Sequence, residues 1–493
     1  MRDPTSARGG NEPLDHAVIR QIVLGILLAM FLGALDQTIV ATALATIGRD
    51  LADVDNLSWV VTAYLVTATA VTPLYGKLSD IHGRRTMLLL AIGVFALGSV
   101  ASALAPTMMV LIIARAFQGL GGGGLMSLAQ TIIGDIIPPR ERGQYQGYIG
   151  MVFATSSIGG PVLGGFFAEH LHWSLIFWIN LPLGLIALVM TYSTLKRLPR
   201  HDQRHSLDYA GAVLMTAATV ALLLVLTWGG TRFPWGSVPI LGLLALSAVL
   251  AVLFVLRQLS AREPFLPLSI FNNPVVGAGT ASVALVFGVM VGLIIFVPIY
   301  FEVVQHLTAS QSGLALIPQL GGTVIGATVV GRAMRHRAHY KTMPIVGLAV
   351  SIVGLAILAI KPTMPVAAVC AIIGVVGLGI GAVFPVTTVS IQNAVPPNQL
   401  GTATGAMNFF RSLGGALAVS GFSAIILGGA GGHDGLTLTA LAAQAHQNGT
   451  DLSHPFGLLF WAAAGCIAAG LVFLLKMEER PLRGEPVAGP AID

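Results

Sequence analysis

Apolar positions in this chain form long, nearly unbroken runs separated by short polar breaks, without the period-2 or one-face patterning of soluble elements. A bilayer core takes about 20 mostly apolar residues per helix. Fourteen such runs can be marked, at roughly 19–46, 57–77, 86–105, 108–134, 144–167, 173–194, 208–229, 237–257, 273–300, 313–333, 341–360, 365–388, 401–427 and 456–476. Runs seven and eight are joined by a turn carrying Trp228, Pro234 and Trp235. Residues 1–18 and 477–493 read as polar tails, and the segment 428–455 as the longest loop. That loop opens Gly-rich and continues through a stretch, Leu436–Gln447, with the pattern of a short surface helix. Asn448-Gly449-Thr450 matches a glycosylation acceptor, but three residues recur by chance and the plain reading is a polar loop. The first run is too long for a signal-peptide core and lacks a cleavage site, so it is read as a retained helix.

Composition agrees. Of 493 residues only 10% are charged, against roughly 25% in soluble domains, while 55% are hydrophobic and mean hydropathy is +0.82. A soluble fold of this length lacks its polar surface here; the expectation is an all-α integral membrane protein. The two cysteines, Cys370 and Cys466, both lie inside apolar runs, so neither a disulfide framework nor a thiolate metal site is expected. A pI of 9.4 raises nucleic acid as a partner, but the basic residues are spread over many loops and form no single patch. Their distribution instead fixes orientation. One side carries 21 Lys and Arg, the other only Arg49, Arg232 and Lys361, with Arg115 and Arg411 inside helices. The expectation is an even number of spans, both termini in the cytoplasm, and the cytoplasmic (inner) membrane as location.

Three segments carry mechanism. The stretch Gly76-Lys77-Leu78-Ser79-Asp80-Ile81-His82-Gly83-Arg84-Arg85 follows helix 2. It is read as a short loop in which Gly76 and Gly83 permit close approach and a tight turn. Asp80 would face the positive end of a neighbouring helix, and Arg84 and Arg85 would reach a carboxylate at the surface. Arg115-Ala116-Phe117-Gln118-Gly119 lies in helix 4, and Gly160-Pro161-Val162-Leu163-Gly164-Gly165 in helix 5. Together these resemble the major facilitator superfamily: the loop signature Gly-x-Leu-x-Asp-x-x-Gly-Arg-Arg, the Arg-x-x-Gln-Gly motif, and the Gly-Pro-x-x-Gly-Gly motif associated with exporters. Leu35–Val40, Trp173 with Phe177–Pro182, and Gly405–Arg411 resemble the fourteen-helix drug:proton antiporter branch. One departure stands out. The second-half counterpart of the loop, Gly331-Arg332-Ala333-Met334-Arg335-His336-Arg337, keeps basic charge but has no Asp.

The resemblance, which runs from about residue 20 to 476, implies two six-helix bundles, 19–194 and 258–476, around a central cavity. An additional helix pair would lie in the linker 195–257. It also implies that Asp135, at the inner end of helix 4, pairs with Arg84 or Arg85, and that Asp80 faces the start of helix 13 near Gly401. That set is the expected conformational gate. Gly160, Pro161, Gly164 and Gly165 are the expected bending point in helix 5. The many other glycines, Gly119, Gly121–Gly124 and Gly374–Gly381, read as packing positions.

Ionisable groups inside a membrane are expensive and call for a partner or a task. Asp36 in helix 1 and Arg115 in helix 4 sit at similar depths, roughly 13 and 11 Å from the outer ends at 1.5 Å per residue. In the implied fold both line the first-half cavity. Two readings stand side by side: competition between a proton, cargo and Arg115 for the Asp36 carboxylate, or a static pair that locks helices. Arg411 lies near mid-bilayer, to pair with a carboxylate or anionic cargo or to cap carbonyls. Glu302, at the outer end of helix 9, is either a second protonation site or an interfacial acid.

No Gly-x-x-x-x-Gly-Lys phosphate loop and no cytoplasmic segment long enough for an ATPase domain occur, so the energy is expected from an ion gradient unless a separate subunit supplies it. A buried acid favours protons, with sodium left open. The reading is a proton-coupled secondary exporter of hydrophobic or amphipathic compounds, a multidrug efflux antiporter, with no cofactor and no metal. The rivals are a lipid transporter of the same fold, a proton symporter and, as a different class, an intramembrane enzyme or receptor. An enzyme would need a convergent nucleophile–base or metal set at depth, yet no His lies clearly within a span. Whether a periplasmic adaptor protein is needed stays open.

Overall fold

The computed structural model describes residues 16–195, 208–337, 339–429 and 452–483. Most of the loop 428–455, both tails beyond those limits and the basic stretch Lys196–Arg204 lie outside the described residues. Among those described are fourteen helices long and apolar enough to cross a membrane. They are α1 (Ala17–Asp50), α2 (Leu57–His82), α3 (Arg84–Ala103), α4 (Met108–Ile136), α5 (Pro139–His170), α6 (Leu175–Thr194) and α7 (Tyr209–Trp228). They continue as α8 (Val238–Ser260), α9 (Pro274–Val303), α10 (Ser310–Ala333), α11 (Thr342–Ile360), α12 (Val366–Ala394), α13 (Pro397–Gly428) and α14 (Ser453–Lys476). Each apolar run became one helix.

The helices overrun the apolar runs for local reasons. Pro139 occupies the first position of α5, where its missing N–H costs nothing. The polar turns Arg140–Gln144 can therefore be helical. Thr107 caps α4 by accepting from Val110 N, and Asn273 caps α9 by accepting from Val275 N. A correction concerns the segment after helix 2. Gly76–His82 is the last two turns of α2, so Asp80 is a helical residue. The turn itself is Gly83 alone, at φ +86°, a conformation only glycine adopts without strain.

The two halves repeat one packing scheme. In the first, α4 packs on α2 and α3, and α1 on α5; in the second, α12 packs on α10 and α11, and α9 on α13. The chain shows the same repeat, since Pro138-Pro139 leads to Gly143 and Gly147 as Pro396-Pro397 leads to Gly401 and Gly405. The halves then meet through α2 against α13 and α5 against α10. Glycine makes both seams close: a Cβ on Gly76 would collide with the Gly401 carbonyl, and one on Gly143 with the Gly331 carbonyl at 2.5 Å. The glycines of α4 act likewise within the first half, where Gly121 faces the backbone of Phe95 and Gly123 that of Ala68.

These seams lie toward the end of the molecule that carries most of the Lys and Arg, called here the basic face. The extra pair sits to one side. α7 packs against α2 and α13, across the seam between the halves, and α8 packs on α7. Asp208 caps α7 through Gly211 N (3.1 Å) and accepts from Arg257 Nε (3.1 Å) of α8. The outer surface of α8 exposes Val238, Val249 and Leu256, an apolar face suited to hydrocarbon.

Candidate functional site

The deepest charges are paired. Asp36 of α1 and Arg115 of α4 form a 2.7 Å ion pair with both side chains buried. A carboxylate taken out of water needs every lone pair satisfied, and here neighbours do so. Gln118 Nε2 donates to Asp36 Oδ1 at 2.9 Å and Asn180 Nδ2 to the same oxygen at 3.0 Å. Arg115 Nε donates to the Val60 carbonyl at 3.1 Å, and Nη1 also reaches Gln118 Oε1 at 2.7 Å. Its guanidinium lies 4.4 Å from the Tyr64 ring centroid. Ser99 accepts from Asn180 at 2.9 Å and donates to the Phe177 carbonyl at 3.0 Å, closing the network.

Gln118 and Asn180 lie within the motif segments, and the sequence assigned them no role. The available signal was spacing: Gln118 lies three residues after Arg115, hence on the same helix face.

A second polar layer joins the halves and was not expected from the sequence. Asn408 Nδ2 of α13 donates to Gln130 Oε1 of α4 at 2.8 Å, and Gln392 Nε2 of α12 donates to the Gln130 carbonyl at 3.1 Å. All three amides are buried.

At the basic face Asp80 accepts from the backbone N–H of Gly401 (3.1 Å) and Thr402 (2.8 Å), and from Thr402 Oγ1 (2.7 Å). A carboxylate of one half thus sits on the positive N-terminal end of a helix from the other. Arg84 donates to Asp80 Oδ1 (2.5 Å) and to Asp135 Oδ2 (2.7 Å). Arg85 is not part of this set; its guanidinium lies 4.6 Å from the Tyr192 ring centroid.

The helix-5 residues divide. A Cβ on Gly160 would collide with Thr38 Oγ1, and one on Gly164 with Thr42 Oγ1, so both are contact positions against α1. Gly165 faces open space, and α5 runs as one helix through Pro161. Arg411 is buried, with its guanidinium 4.9 Å from the Phe287 ring centroid and Nε unpartnered. Glu302 is half-buried near the end of α9, fifteen residues, or about 22 Å along the helix, from Phe287. The structure brings Asp36 and Arg115 together and brings neither Arg411 nor Glu302 to them. Among the described residues no cluster of His, Cys, Asp and Glu could hold a metal ion.

The Major Facilitator Superfamily sequence profile matches residues 26–419. The chain belongs to the Major Facilitator Superfamily. Two Bacillus subtilis proteins are similar to it. Multidrug resistance protein 3 is 33% identical over 83% of this chain and 80% of its own, and multidrug transporter protein MdtP is 33% identical over 89% and 82%. An uncharacterized MFS-type transporter of Mycobacterium tuberculosis is 33% identical over 97% of this chain and 72% of its own. Among solved structures, a proton:xylose symporter of the major facilitator superfamily superposes with a TM-score of 0.64 at 14% identity, covering 95% of this chain and 98% of that one. That likeness shows the major facilitator fold, and the fourteen spans of this chain make it two six-helix bundles with an added helix pair. The superfamily and the curated relatives place the chain among transporters, of multidrug efflux type, and not among enzymes.

Proposed function

We propose that the protein is a proton-coupled exporter of hydrophobic or amphipathic compounds, working by alternating access. The observation that carries this reading is the Asp36–Arg115 pair, sealed at 2.7 Å inside the first half. A carboxylate held that deep is the group whose protonation would release a buried arginine, and the release would loosen α1 against α4. Exit of the proton would rebuild the pair. The closed basic face supports a cycle in which this state opens to the opposite side, with the Asp80 contacts holding the cytoplasmic side shut. The relatives named for multidrug resistance and transport support a broad apolar cargo.

The test is reconstitution of purified protein in liposomes with an imposed pH gradient. Proton flux is followed on adding lipophilic cations, neutral drugs and lipids in turn. The reading expects flux to appear only with cargo. Silence across the drugs, with movement of lipid instead, would move the assignment to a lipid transporter, and proton flux in the same direction as cargo to a symporter.

Arg411 adds a separable prediction. A buried cation whose partner is an aromatic face is costly, and neutral replacement of such groups is often stabilising. Arg411→Met is expected to keep or raise the thermal unfolding midpoint while lowering transport. A lower midpoint would make Arg411 a structural group.

A further inference from the structure

The basic-face gate is asymmetric in a way that leaves one charge only loosely paired. Asp80 stands four residues after Gly76, and Arg335 stands four residues after Gly331. Gly76 abuts Gly401 in one seam, and Gly331 abuts Gly143 in the other. Where the first half presents a carboxylate to the opposing half, the second presents a guanidinium. Around it lies a cavity of about 400 Å³ lined by Arg140, Glu141 and Gln144 of α5 and by Arg332, Arg335 and His336 at the end of α10. That volume falls in the range of ligand pockets, about 300–1,000 Å³.

Three arginines and a histidine thus line the cavity with one loosely held carboxylate, and Arg140 Nε donates to the Leu482 carbonyl at 3.3 Å. Glu141 Oε1 is 3.7 Å from Arg335 Nη2, beyond hydrogen-bond reach. Arg335 Nε is a buried donor with no partner. In the first seam the corresponding distances are 2.5 and 2.7 Å, and two carboxylates share Arg84. The second seam has the cations of a salt-bridge cluster with a single, more distant anion.

We propose that this cavity binds a phosphate-bearing anion, which supplies from outside the negative charge that Asp80 supplies in the other seam. Arginine forks suit phosphate oxygens, forming paired charge-assisted hydrogen bonds. The position at the membrane surface admits two sources of the same chemistry, the headgroup of an anionic lipid or free phosphate. Because α5 and α10 belong to different halves, the anion would bridge them as Asp80 bridges α2 and α13. The inference is independent of which cargo the protein carries.

The test uses the full chain in nanodiscs of phosphatidylcholine, with phosphatidylglycerol or inorganic phosphate added in separate arms. A ligand that binds only the folded state raises the unfolding midpoint, the stabilisation growing with the logarithm of its concentration relative to Kd. The wild type is expected to show a rise that grows with the logarithm of ligand concentration in one arm, which names the source. Arg332→Gln with Arg335→Gln is expected to weaken the apparent affinity at least tenfold. The single variant Arg335→Asp, which restores the acid of the first-half counterpart, is expected to abolish the rise while keeping the midpoint of the unliganded protein. No rise in either arm for the wild type, or an equal rise in Arg335→Asp, would overturn the proposal.

Discussion

Asp36→Asn is expected to abolish cargo-dependent proton movement, by 100-fold or more on the order of a lost coupling step, in protein that still inserts and folds. The isosteric amide keeps an oxygen to accept from Arg115, but it cannot take up and release a proton. Arg115→Met is expected to do something different. It leaves the Asp36 carboxylate buried with only Gln118 and Asn180 as donors. Breaking a buried pair from one side costs about 3–5 kcal/mol, because the remaining charge is uncompensated. Replacing both members by apolar residues, Asp36→Leu with Arg115→Met, should recover most of that stability and none of the transport. Thermal unfolding and the liposome assay read the two quantities separately. Proton flux that survives in Asp36→Asn would make the pair a structural lock and move the coupling role to Glu302.

The fourteen helices were legible because each span must be apolar along its length, and hydropathy reports that directly. What hydropathy does not report is helix rotation. The network around Asp36 shows the consequence: Asp36 and Arg115 stood out as charges, whereas Gln118, Asn180 and Ser99 are neutral and blend into apolar runs. The same holds for Gln130 and Asn408, while Gln392 falls just past its apolar run; the three tie the halves together near the C-terminal ends of α4 and α12. Helix ends were misplaced where polar residues face another helix instead of water. Arg142 donates to the Ile137 carbonyl at 2.7 Å and to the Gly134 carbonyl, so this arginine in the first turn of α5 caps the end of α4 although the segment reads as loop. Gly76–His82 was read as a loop for the same reason; its Ser79 and Asp80 accept from Arg84, and Asp80 also from α13. The missing acid at Arg335 was visible as a motif departure. Its meaning needed the second seam, because only the packing of α5 on α10 shows what an anion there would touch.

Gly76→Leu is expected to hold the basic face open. In the closed structure a Cβ at this position would collide with the Gly401 carbonyl and meet the Gly405 Cα at 3.1 Å. Both obstacles are backbone, so no side-chain rotation relieves them. Overpacking of this kind costs typically about 1–3 kcal/mol, and here the cost falls only on the conformation in which α2 touches α13. A bias of 1–3 kcal/mol shifts a two-state equilibrium by about 5–150-fold. It would also draw Asp80 off the N–H groups of Gly401 and Thr402, adding to the same side of the balance. The reporter is Thr404→Cys, at a residue fully buried in the closed seam, in a background with Cys370 and Cys466 replaced by Ser. Labelling by a membrane-impermeant maleimide from the basic face should accelerate several-fold in Gly76→Leu, with transport lost and the helices still inserted. Unchanged labelling with transport intact would show that the seam opens and closes without passing through the contact seen here, and that Gly76 serves packing alone.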